Sequence, residues 1–117
     1  MTDRELLELA AKAAGYGFQY SDDGRLFVSG IDGIGLKEWS PLKNDGDALR
    51  LAVKLGFVVS VNRCCEKITI ETGSDDDIHF YIENYEFENE DSHLSATRRA
   101  IVSAAAEIGK SINNTKV

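Results

Sequence analysis

Phe57-Val58-Val59-Ser60-Val61-Asn62, followed by Arg63-Cys64-Cys65-Glu66 and Lys67-Ile68-Thr69-Ile70-Glu71, is the stretch that decides the fold. Phe57, Val59 and Val61 alternate with Val58, Ser60 and Asn62, and Ile68 and Ile70 alternate with Lys67, Thr69 and Glu71. A period of two is the pleat of a strand, because successive side chains point to opposite faces. The short polar segment between the runs reads as a turn, so the two strands return antiparallel as a hairpin. One face of that hairpin is apolar and the other mainly polar. The polar face, with Ser60, Thr69 and Glu71, points to a sheet covered on one side only in this part.

Working upstream, Gly56 stops a helix that starts near Asp45 or Asp47, either of which can cap it. Its expected apolar stripe is Leu49, Ala52 and Val53, broadened by Ala48, with Arg50 and Lys54 opposite. Residues 30–46 hold Gly30, Gly33, Gly35, Gly46 and the only proline, Pro41, and read as loop. Before them, Tyr16 to Tyr20 alternates as a strand, Ser21-Asp22-Asp23-Gly24 turns, and Leu26-Phe27-Val28 returns. Thr2-Asp3-Arg4-Glu5 has the form of a capping box. Leu6, Leu9, Ala10 and Ala13 follow it at helical spacing, which predicts a helix over 3–14 ended by Gly15.

Downstream, Gly73 to Asp77 reads as a turn. Residues 78–87 read as a strand, with Phe80 and Ile82 on one side and Tyr81, Tyr85 and Phe87 on the other. A last helix is expected from Asp91 or Ser92 to about Gly109, burying Leu94, Ile101, Ala105 and Ile108. Its alanines at 100, 104, 105 and 106 would let it pack close to a sheet. Residues 111–117 read as a frayed tail after a single domain over 1–110. The expected order is α-β-β-α-β-β-β-α: an α+β fold in which an antiparallel β-sheet packs with three helices.

The 117 residues suit one domain, and 43% hydrophobic with 28% charged residues is a globular balance that argues against a disordered chain. No apolar run approaches the roughly 18 residues that span a bilayer. With 13 basic and 20 acidic side chains the net charge is −7, which disfavours direct binding to nucleic acid or to an anionic membrane. The two cysteines, Cys64 and Cys65, are adjacent, an arrangement that rarely bridges and that fits a reducing, cytoplasmic compartment.

Three segments carry a family resemblance: TDRELLELAAKAAG from Thr2 to Gly15, WSPLKNDGDALRLAVKL from Trp39 to Leu55, and ATRRAIVSAAAEIG from Ala96 to Gly109. In this order they resemble the ABA sandwich domain family of small proteins from tailed bacteriophages and prophages. The most specific part is the Trp39–Leu55 stretch. The resemblance implies a layered αβ(α) sandwich, a phage or prophage origin, and hence the cytoplasm of an infected or lysogenic bacterial host. It implies no catalytic residues. Residues 30–35 look like an insertion peculiar to this chain.

The strongest outlier of composition is acidic. Asp75, Asp76, Asp77, Glu83, Glu86, Glu88, Glu90 and Asp91 lie in residues 75–91, which contain no Lys or Arg. The rest of the chain carries 12 acids against 13 bases, so the whole negative surplus is here. Tyr81, Tyr85 and Phe87 interleave with these acids at strand spacing. Carboxylates can steer a basic partner while aromatics supply buried contact area, so the segment is a candidate surface for a protein partner, such as a host or defence factor with a basic face. A solvated edge strand that blocks sheet-to-sheet aggregation would account for the same acids. Homodimer formation by edge pairing is left open.

Other residues carry weaker signals. Arg98 and Arg99 stand early in the last helix, where cations oppose its dipole unless compensated, and the upstream acids could compensate them. With Trp39 they form an alternative candidate, a pocket for a small molecule or nucleotide. Cys64, Cys65, His79 and His93 offer zinc donors at unsuitable spacing. The glycines of residues 30–35 lack the Lys-Ser or Lys-Thr of a phosphate loop. The expectation is a non-enzymatic protein with no catalytic residues, no metal and no cofactor.

Overall fold

The computed structural model of the chain describes residues 2–31, 33–62, 67–72, 80–84 and 90–115. Its elements run α1 (Asp3–Ala14), β1 (Gly17–Tyr20), β2 (Leu26–Ser29), β3 (Lys37–Glu38), α2 (Asp45–Leu55), β4 (Phe57–Asn62), β5 (Lys67–Thr72), β6 (Phe80–Asn84) and α3 (Glu90–Thr115). This is an α+β fold of three helices and antiparallel strands. The strands form two three-stranded sheets, β1-β2-β3 and β4-β5-β6, rather than one. Alternation reveals each strand but not which hairpins join edge to edge, since that pairing is non-local. The two-residue β3 falls in the expected loop. It pairs Lys37 with Val28 and Glu38 with Phe27, and is too short to show a period.

Local chemistry sets the helix ends. The Thr2 hydroxyl accepts the Glu5 amide at 3.2 Å and so caps α1. At the other end Gly15 takes φ 77°, where a side chain would be strained, and the amides of Gly15 and Tyr16 reach the carbonyls of Lys12 and Ala11. That closure points Tyr16 inward, where it is 7% exposed. The cap of α2 is Asn44 rather than Asp45 or Asp47; its Oδ1 accepts the Asp47 amide at 2.9 Å.

The core lies where the helices meet the sheets. α1 packs along α3, which also contacts α2, β5 and β6. Leu6, Ala10, Ala11 and Ala14 of α1 are buried, as are Ala96, Ala100, Ile101, Val102 and Ala104–Ala106 of α3. The helix that carries these alanines thus packs on α1 as well as on the sheet expected from sequence. Gly109 shows how close the two helices come. A Cβ built there would overlap the Leu9 carbonyl oxygen and lie 2.8 Å from its carbon. α3 runs past Gly109 to Thr115.

The expected stripe of α2 is rotated, while that of α3 holds at Ile101 and Ala105. α2 buries Ala48, Leu51 and Ala52 and leaves Leu49 65% and Val53 72% exposed. On α3, Leu94 is 40% exposed. A helix with apolar residues on several sides offers more than one candidate face, and tertiary packing selects among them.

In the second sheet, Ile68 and Ile70 of β5 are fully buried beneath α3, whereas Ser60 and Lys67 are exposed. Removing such an isoleucine side chain from water contributes about 1.5–3 kcal/mol. Among the described residues, one face of this sheet is core and the other carries exposed Ser60 and Lys67.

Candidate functional site

The acidic segment lies mostly outside the described residues. Asp75, Asp76, Asp77, Tyr85, Glu86, Phe87 and Glu88 fall there, as do Cys64, Cys65 and His79. The backbone of β6 is described, and its register is definite. Tyr81 stands opposite Ile70 and Glu83 opposite Ile68, while Ile82 stands opposite Thr69 and Phe80 opposite Glu71. β6 is an outer strand of its sheet. Glu90 and Asp91 open α3, where acids favour the positive end of the helix dipole.

A groove of about 410 Å3 lies where the start of α1 meets the β1–β2 turn and the segment 38–43. The segment is set by a turn in which the amides of Lys43 and Asn44 donate to the Ser40 carbonyl, with Pro41 at the position where its fixed φ suits a turn. A buried carboxylate then ties it to α2. Asp47, 4% exposed, accepts the Ser40 amide at 2.9 Å and the Lys37 ammonium at 2.9 Å, with Arg50 at 3.5 Å. This places Trp39, 2% exposed, edge-on to Tyr16 with ring centroids 5.9 Å apart.

Two of the cations that line the groove, Arg25 and Arg4, are engaged with acids. Arg25 donates to Glu38 at 3.0 Å and to Asp23 at 2.9 Å. The hydrogen bond to Glu38 and the charge of Asp23 hold its guanidinium above its ordinary range. The Ser21 hydroxyl donates to Asp23 and, with the Arg25 charge, holds that carboxyl below its ordinary range. Arg4 lies 4.0 Å over the Tyr20 ring, a cation–π contact, and donates to Glu8 at 3.3 Å. The Tyr20 hydroxyl donates to the same Glu8 oxygen at 2.8 Å. Burial first, and then the Glu8 carboxylate, raise the Tyr20 phenol above its ordinary pKa. These contacts orient the side chains that rim the groove.

Trp39 lines this groove; Arg98 and Arg99 do not. Arg98 donates to the Leu42 carbonyl at 2.9 Å and to Asp45 at 2.6 Å, joining α3 to the start of α2. Arg99 donates to Asp3 at 2.8 Å, joining α3 to α1. Among the described residues, Asp45 and Asp3, on other elements, are the acid partners of this pair. Among the described residues no group of three or more His, Cys, Asp or Glu could hold a metal, and no helix is long and apolar enough to cross a membrane.

Sequence reasoning missed the groove because its lining comes from three separated segments. It also missed Asp47, whose burial arises only when the loop folds over the helix. No protein-family model matches the chain, and a search of curated proteins finds no match either.

Proposed function

We propose that this chain is a small, non-enzymatic accessory protein of phage or prophage origin. It acts in the bacterial cytoplasm by binding a protein partner with a basic surface through residues 75–91. The observation that carries the reading is charge segregation: the whole negative surplus of a −7 chain sits in one segment. An outer strand supports it, because among the described residues no strand pairs with the far edge of β6. Clustered carboxylates raise the encounter rate with a cationic surface and make binding depend on salt.

The test is affinity capture from host lysate at low and high salt, followed by titration of the captured partner. A single stoichiometric partner lost at high salt is expected. The combined E83Q, E86Q, E88Q and E90Q variant should weaken its binding by about tenfold or more while the melting curve stays unchanged. Binding unaffected by those four changes would remove the proposal.

The groove beside Trp39 favours a second reading, a binder of a small molecule or nucleotide, with Arg4, Arg25 and Lys43 at hand in place of Arg98 and Arg99. In a thermal-shift screen a true ligand at 100 times its Kd would stabilise the fold by about 2.7 kcal/mol. A flat response across nucleotides and small carboxylates rejects it.

A further inference from the structure

β4 is the other outer strand of the β4-β5-β6 sheet, and it differs from β6 in chemistry. Its sequence, Phe-Val-Val-Ser-Val-Asn, contains no charge, no glycine and no proline. Outer strands are ordinarily guarded by charge, proline or a bulge, because their free amides and carbonyls template further pairing. Across all six residues β4 pairs with β5, and for Phe57 to Val61 no described residue bonds the opposite edge. Val58 and Val61 are 52% and 43% exposed. α2 runs through Gly56 directly into β4 and packs against it, carrying the exposed pair Leu49 and Val53 one helical turn apart.

Charge decides what occupies this edge. β4 lies inside residues 48–65, the longest run of the chain without an acid. Two copies of a −7 chain repel each other except where the acids are absent. The sheet order puts this uncharged strand at the rim opposite β6, which carries Glu83. A strand paired antiparallel with its own copy is self-complementary, as a two-fold interface requires.

We infer that the chain forms a two-fold dimer by antiparallel pairing of β4 with β4 of a second copy. The result is a continuous six-stranded sheet of order β6-β5-β4-β4-β5-β6, with Leu49 and Val53 flanking the junction. The inference does not rest on the partner proposed above, since it uses the opposite rim of the sheet and leaves both β6 strands at the outer ends.

Sedimentation velocity from about 1 µM to about 500 µM tests it. The wild-type chain should reach twice the monomer mass within this range. V58K and V61K, at exposed positions, should each raise the dissociation constant about tenfold or more with an unchanged circular dichroism spectrum. The control L36K, at a position 55% exposed on the loop before β3, should dimerise as wild type does. Amide exchange of the wild-type chain supplies a readout independent of any variant. Protection at Val58 to Val61 should rise with concentration. A monomer throughout the range, a dimer indifferent to both lysines, or β4 protection independent of concentration overturns the inference. So does β4 protection that appears only when lysate is added, which would give the edge to a foreign strand.

Discussion

Burial and the hydrogen bond to Glu8 keep the Tyr20 phenol protonated beyond its ordinary range, against the opposing pull of Arg4. The sign of the stability effect follows. A folded pKa above the unfolded value of 10.0 favours the native state while the phenol is protonated. That contribution is fully present below pH about 10 and is lost as pH rises through the folded value. Urea melts of wild type and Y20F should therefore differ by a constant amount up to pH about 10. Above it, wild type should lose stability relative to Y20F. A difference that stays constant to pH about 12 would contradict this. At this scale the caps at Thr2, Gly15 and Gly56 were legible, because they act on their own neighbours, whereas Asn44 caps α2 where Asp45 or Asp47 was expected. The burial of Asp47 was not legible, because its partners Lys37 and Ser40 reach it through a folded loop.

At the level of elements, the contact of α1 with α3 turns on Gly109. Glycine inside a helix costs about 1 kcal/mol relative to alanine when the surroundings are open. Here the added methyl would lie 2.8 Å from the Leu9 carbonyl carbon and 3.1 Å from its Cα, both backbone atoms that cannot rotate away. The two effects have opposite signs, so G109A discriminates between them. Overpacking of this kind costs about 1–3 kcal/mol, and we expect a net loss of about 2 kcal/mol and a fall in Tm of about 10 °C. A variant more stable than wild type would show that the helices do not touch there. Periodicity revealed these helices and set the buried faces of α1 at Leu6 and Ala10 and of α3 at Ile101 and Ala105, but it mis-set the face of α2. Leu49 and Val53 of α2 were placed inward by spacing and stand outward in the fold. Gly109 read as a helix stop, although α3 continues to Thr115.

For the whole molecule, pattern carried the fold class and composition the acidic segment. The α+β class followed from alternating strands between amphipathic helices, whereas the division into two sheets did not, because pairing between distant segments leaves no period in the sequence. The acidic segment was visible by counting charges, but the groove, assembled from segments near residues 3, 25 and 40, was not. The clasp of α1 by α3 also has a kinetic side. Leu9 and Gly109 are brought together across almost the whole chain, as are Asp3 and Arg99. At a synthesis rate of about 5–20 residues per second, α1 is complete on the order of ten seconds before α3 follows it. Through that interval Leu6, Ala10, Ala11 and Ala14 lack the surface that later covers them. The closing of so long a loop then makes docking of α3 the step expected to gate folding, which sets the time for which a nascent chain stays open to chaperones and proteases.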